Sequence, residues 1–324
     1  MLRTQKPVIV ISLLLVMLTA LLSGCPAPAD RAKEAASGYL TVEDDAGRAV
    51  TLPRKPERIV VLSTSYLDLL YAVGGQAIGR PTTPQSERLP PEAAVLTELG
   101  QTTNIDVEKL IALQPDLVIA YQGLHEKLVP LLNANHVPVL LLKMKTYEDV
   151  RAKLLLFGEI AGTGPVAASV AQQLTDRVRV VTDRLPARSR KVVILHATAK
   201  NITVELGSSI AGDVAGLLQL RNIAAESLPL AAEQAAAPFS LEKLVEGDPD
   251  VIMVTMMGKT GEVQKRLRDE VENNPAWAGM RAVRAKQVYF LPGDLFQLNP
   301  GVRYDEAVAY MARVVYPEVY GHGR

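Results

Sequence analysis

The chain has one cysteine and four histidines in 324 residues. A single cysteine excludes an internal disulfide and a thiolate zinc site. The histidines, His125, His136, His196 and His322, stand too far apart for an HExxH or HxxxH pair on one helix face, so conventional metallohydrolase chemistry is disfavoured. Charge of one sign is missing too: 35 Lys and Arg balance 35 Asp and Glu. That leaves no electrostatic footprint for nucleic acid. There is no GxSxG, Walker or SxxK motif, which speaks against the usual secreted hydrolases. The stretch 162–167, GTGPVA, matches GxGxxA by letters alone. A dinucleotide fingerprint must follow a strand, and here a helical pattern precedes it. What is present is apolar residue, 48% of the chain, enough for a sizeable core and too much for disorder.

Long apolar runs are confined to the N-terminus. Arg3 and Lys6 precede 8–21, VIVISLLLVMLTAL, which is shorter than the ~20 residues that span a bilayer comfortably. This reads as a signal peptide over 1–24. It ends in Leu22, Ser23, Gly24 and Cys25, resembling the bacterial lipobox. The resemblance implies cleavage before Cys25 and a diacylglycerol on its sulfur, so that acyl chains anchor the chain stably. Residues 25–38 carry Pro, Ala and charge without apolar periodicity and are expected to be a flexible tether reaching at most about 45 Å.

From Tyr39 onward, strands alternate with helices. The apolar runs at 58–62, 116–120 and 136–142 read as buried parallel strands, and the pattern restarts at 190–195, 250–254 and 287–291. The expected fold is α/β: two lobes with central, mostly parallel sheets, at 39–146 and 185–324. The intervening 147–184 has no strand signal. It predicts a helix over 147–161, a break at Gly162–Gly164, and a long helix after Pro165 that connects the lobes stiffly. Residues 105–120, IDVEKLIALQPDLVIA, align without a gap to 239–254, FSLEKLVEGDPDVIMV, at an offset of 134. Each copy has an N-cap (Asp106, Ser240), a glutamate at the second helical position (Glu108, Glu242) and a Pro-Asp leading into a strand, which favours duplication.

In open α/β sheets, ligands bind beyond the carboxyl ends of the strands. That rule selects Ser63, Thr64, Ser65 and Tyr66; Tyr121 and Gln122; Lys143 and Met144; His196; Met256 and Met257; Pro292, Gly293 and Asp294; and Arg303 a loop further on. Met256 and Met257 alternate, so one at most faces the cleft. Aromatic and thioether groups suit a flat, polarisable ligand, and an arginine suits carboxylates.

Together, the segments PERIVVLS (56–63), NIDVEKL (104–110), QPDLVI (114–119), NPAW (274–277), RAV (281–283) and Val288 with Tyr289 resemble the substrate-binding lipoproteins of iron-chelate and cobalamin ABC importers. The block from Asn274 to Phe296 is similar to Gram-positive haem receptors. The resemblance implies two α/β lobes joined by one long helix, a ligand held in the cleft, and no catalysis. It implies no intrinsic cofactor. The ligand would be a ferric siderophore or haem, with cobalamin or another corrinoid, or a sensing lipoprotein without a transporter, as alternatives. Where haem receptors carry a Met and a His, this chain has Thr103 and Met257; the metal-ligand candidates are Tyr66, His196 and Met257. The implied partners are a permease dimer with its ATPase, with the chain acting as a monomer on the outer face of the cell membrane. In the family, acidic residues matching Glu108 and Glu242 pair with permease arginines.

Overall fold

The computed structural model describes residues 38–83, 89–231 and 233–321; Cys25, the signal peptide and nearly all of the tether lie outside them. A hairpin of β1 (Leu40–Glu43) and β2 (Ala49–Leu52) opens the described chain. The first lobe follows with β3 (Ile59–Val61), α1 (Thr64–Ala72), β4 (Gly79–Arg80), β5 (Thr97–Glu98), the small pair β6 (Gly100–Gln101) and β7 (Asn104–Ile105), α2 (Val107–Ala112), β8 (Leu117–Tyr121), α3 (Val129–Ala134) and β9 (Val139–Leu142). Its five-stranded sheet has the order β5-β4-β3-β8-β9 and is parallel throughout.

Two helices then lead to the second lobe, α4 (Tyr147–Ala161) and α5 (Gly164–Thr182). Thr146 and Asp149 form a reciprocal capping box at the start of α4, satisfying two otherwise orphaned backbone donors. Gly162, in the left-handed region at φ 68°, stops the helix where a side chain would be strained. The helices pack on each other, and a Cβ on Gly158 would fall 2.2 Å from that of Ala167. Glycine is therefore required for so close an approach.

The second lobe comprises β10 (Lys191–Thr198), β11 (Ile202–Glu205), α6 (Ile210–Leu217), β12 (Arg221–Asn222), β13 (Ala236–Pro238), α7 (Leu241–Gly247), β14 (Val251–Met257), α8 (Thr260–Leu267), α9 (Pro275–Gly279), α10 (Arg281–Arg284), β15 (Val288–Phe290), α11 (Gly293–Phe296), α12 (Tyr304–Val315) and α13 (Pro317–Tyr320). The order is β13-β11-β10-β14-β15, with β12 also on β10. β10, β12, β14 and β15 run parallel, while β11 and β13 are antiparallel.

The core explains why these strands are continuously apolar: both faces of each sheet are covered. Val60, Leu62, Val118, Ala120, Val139 and Leu141 face one outer cluster. Val193, Leu195, Ile252 and Val254 face another. The alternate residues Ile59, Val61, Leu117, Ile119, Leu140 and Leu142 of the first lobe, and Val192, Ile194, Val251 and Met253 of the second, join a single cluster. It runs through α1, α4, α5, α6 and α12. The lobes thus share one hydrophobic layer.

The repeat persists in backbone detail at the same offset of 134. Gln114 and Asp248 both have positive φ, 46° and 38°, each before a proline and after a helix. Asp116 Oδ1 accepts from the Arg58 amide at 2.8 Å, and Asp250 Oδ2 accepts from the Lys191 amide at 2.9 Å. Asp106 and Ser240 each accept from the amide three residues on. These are costly or specific local choices, and two unrelated helix–loop–strand units have no reason to share all of them.

Candidate functional site

A cavity of about 950 Å³ opens between the carboxyl ends of the two sheets, at the upper end of the size of small-molecule sites. From the first lobe, Ser63, Thr64, Ser65, Tyr121 and Met144 line it, as the strand-end rule predicts. The strand-end rule passed over Thr82, Thr83, Gln101, Thr102 and Leu124, which come from the end of β6 and the loops after β4, β6 and β8; Thr103, noted above only as standing in place of a haem ligand, lines the cavity with them. The short strands carry too few residues to show a period-2 pattern.

Tyr66 forms the floor and is fully buried. Its hydroxyl donates to the Leu142 carbonyl at 2.6 Å, and its ring stacks on Tyr121 with centroids 6.0 Å apart and meets Phe157 edge-on at 6.2 Å. Burial pushes its phenol pKa far up, with further contributions from Tyr121, Asp45 and Asp149. A phenol so committed is a packing element and not a metal ligand, which corrects that expectation. Burial also raises the Tyr121 phenol.

Four other expectations are corrected by the contacts. The Gln122 amide donates to the Asp45 carbonyl at 2.7 Å, and the Lys143 amide donates to Asp45 Oδ2 at 2.6 Å. Both residues are engaged with the β1–β2 turn and lie off the cavity lining. Asp294 and Arg303 pair with each other at 3.2 Å, and Arg303 also with Glu306 at 2.8 Å. The pair seals the base of α12 outside the cavity, so the guanidinium does not await a ligand carboxylate. Pro292 and Gly293 likewise fall outside it, and the loop beyond, with Phe296, Gln297, Leu298 and Asn299, supplies the wall instead. Asn299 accepts at its carbonyl from Ser65 Oγ at 2.8 Å, tying the lobes together beneath the site.

In the second lobe His196 and Met257 line the cavity. Met256 points to the opposite face and packs on the outer cluster. Thr255, by its register with His196 across β10 and β14, lies on the same face as His196. The His196 Nδ1 is 2.9 Å from Thr255 Oγ1, and the Thr255 hydroxyl donates to Glu205 Oε1. Glu205, only 7% exposed, ends the antiparallel strand β11. A rule about parallel strands does not reach it. Glu233 and Lys145, also unanticipated, form an ion pair of 2.8 Å between the lobes. Burial raises the Glu233 pKa, but the Lys145 hydrogen bond and charge outweigh it and hold the carboxyl below its usual range. Among the described residues no group of three or more His, Cys, Asp or Glu can hold a metal ion. No helix among them is long and apolar enough to cross a membrane.

Glu108 and Glu242 are exposed in the first turns of α2 and α7. Each follows a cavity-lining segment by a few residues, Thr103 on one side and Ala236 on the other.

Two α/β lobes facing each other across a ligand-sized cavity are the architecture of a small-molecule binding protein. The chain belongs to the periplasmic binding protein family, whose model matches residues 59–295. It is 24% identical over 320 residues to an uncharacterised ABC transporter substrate-binding lipoprotein, YvrC, of Bacillus subtilis, covering 94% of this chain and 96% of that one. It is 25% identical to the Fe(3+)-citrate-binding protein YfmC of the same organism, with the same coverage. The structure superposes on Staphylococcus aureus IsdE complexed with heme at a TM-score of 0.69 and 20% identity, covering 80% of this chain and 98% of that one.

Proposed function

We propose that this chain is the substrate-binding component of an ABC importer, capturing an iron chelate outside the cytoplasmic membrane and delivering it to a permease dimer and its ATPase. The family carries the importer role. The observation that carries the chelate is the cavity itself: it is large, partly apolar through Tyr121, Leu124, Met144 and Met257, and without a metal-ligating cluster among the described residues. A metal that arrives in such a site brings its coordination shell with it. A ferric siderophore or a corrinoid satisfies that condition outright; haem would keep open axial positions, toward which the cavity offers His196 and Met257.

On this reading residues 39–146 and 185–324 are the two lobes and 147–184 is the connecting unit. Cleavage after Gly24 leaves Cys25 lipidated, and 25–38 tethers the folded part to the membrane. Glu108 and Glu242, one at each side of the mouth, dock to the two permease copies.

The test is the absorption spectrum of protein purified from its native host. A Soret band identifies haem, a broad visible charge-transfer band a ferric siderophore, and corrin bands a corrinoid. A colourless protein that takes up none of these on titration would sink the chelate reading.

A further inference from the structure

Which chelate fits depends on what the cavity wall lacks a partner for. Thr255 has a single hydroxyl proton, and it goes to Glu205 Oε1. Its oxygen can therefore only accept from His196 Nδ1, 2.9 Å away, so the proton of the neutral imidazole sits on Nδ1 and Nε2 keeps its lone pair. Glu205 Oε1 also lies 3.6 Å from His196 Nδ1, consistent with that polarity. Glu205 Oε2 and His196 Nε2 have no hydrogen-bond partner among the described residues, although the Glu205 side chain is 9% exposed and both residues line the cavity. The wall thus presents two unsatisfied acceptors. The Lys145 ammonium is already held by Glu233 across the cleft at 2.8 Å.

Resting on the chelate reading above, we propose that this wall selects a ligand whose periphery carries hydrogen-bond donors, amide or amine N–H, and discriminates against one fringed with carboxylates. A donor satisfies Glu205 Oε2 and His196 Nε2 and keeps the buried carboxylate paired. A carboxylate brought to the same place faces a second carboxylate whose side chain is only 9% exposed, where like charges repel more strongly than in bulk water. Two sources share the donor chemistry: a corrinoid with peripheral amides, and a ferric hydroxamate with a free amine.

The experiment is titration calorimetry at pH 8 with four probes: cyanocobalamin, ferrioxamine B, ferric dicitrate and haemin. Cyanocobalamin or ferrioxamine B should bind at least 10-fold more tightly than both carboxylate-bearing probes, and whichever does names the source. Glu205→Gln should weaken that ligand by about 10-fold, the loss of one charge-assisted hydrogen bond. His196→Leu, which removes the Nε2 acceptor together with the Nδ1 donor to Thr255 and leaves the Glu205 carboxylate in place, should weaken it too and covers the case in which the Glu205 variant does not fold. Ferric dicitrate or haemin binding as tightly as the others overturns the selection and leaves the chelate reading standing. Failure of all four at millimolar concentration overturns both.

Discussion

Asp213 offers a sharp test of how the lobes are fastened. It sits on α6 of the second lobe, and its Oδ2 accepts both the Tyr304 hydroxyl at 2.7 Å and the Tyr147 amide, at the start of α4, at 2.9 Å. Burial raises its pKa; these two hydrogen bonds oppose the shift, and Asp149 and Glu148 nearby add to it. A carboxyl whose folded pKa lies above its unfolded value contributes stability that is complete below the unfolded pKa, near 4. That contribution is lost as pH rises through the folded value. Asp213→Asn keeps an oxygen acceptor for both donors and abolishes the charge, so it should cost less than ~1 kcal/mol. Relative to the parent, its stability should improve between pH 4 and pH 8. Asp213→Ala leaves a buried tyrosine hydroxyl and a helix-start amide without their main acceptor, and should cost about 2–4 kcal/mol. Urea denaturation of the three proteins at both pH values measures this. An Asn variant as damaged as the Ala variant, or one whose difference from the parent does not move with pH, would refute the assignment of burial as the dominant influence on Asp213.

Three further outcomes are expected. Cys25→Ser should abolish acyl-chain labelling and detergent partitioning; unchanged labelling would count against lipidation at this position. Free and ligand-loaded protein should differ by less than ~2 Å in radius of gyration, out of about 19 Å for a compact chain of this size, because closure must work against a shared apolar layer; solution scattering decides. Glu108→Ala/Glu242→Ala should abolish uptake while leaving ligand affinity and, to within ~1 kcal/mol, stability unchanged; normal uptake at normal expression would show that the two carboxylates serve only their own helices.

The strands were legible in the sequence because they are buried on both faces. Runs such as those ending in Leu62, Ala120 and Leu195 are continuous and bounded by turn residues, and each lies in or next to a strand of the structure. The hairpin of β1 and β2 and the antiparallel β11 and β13 left weaker signals. Their residues are either poorly buried, as the half-buried Val50 and exposed Thr51 are, or too few to establish a period. The site was legible only where a side chain follows a long parallel strand. Ser63, Met144, His196 and Met257 were found that way. Glu205 and Glu233 were not, because what brings them to the cavity is the path of an antiparallel strand and a loop. Asp294 and Arg303 were misplaced for a different reason. Chain proximity to a strand end says nothing of whether two opposite charges will find each other first.

The single apolar layer beneath both sheets has a consequence for how the molecule folds and how it has diverged. Its backbone still carries two copies of one unit, down to the left-handed Gln114 and Asp248. Yet Val61 and Ile194, Tyr66 and Tyr304 belong to one cluster, so each copy keeps only its outer cluster to itself and shares its inner one. Severing the chain within 162–164 would expose half of that interior on each fragment. Heating should produce one cooperative transition instead of two. A substitution in the shared layer should therefore be felt on both walls of the cavity at once.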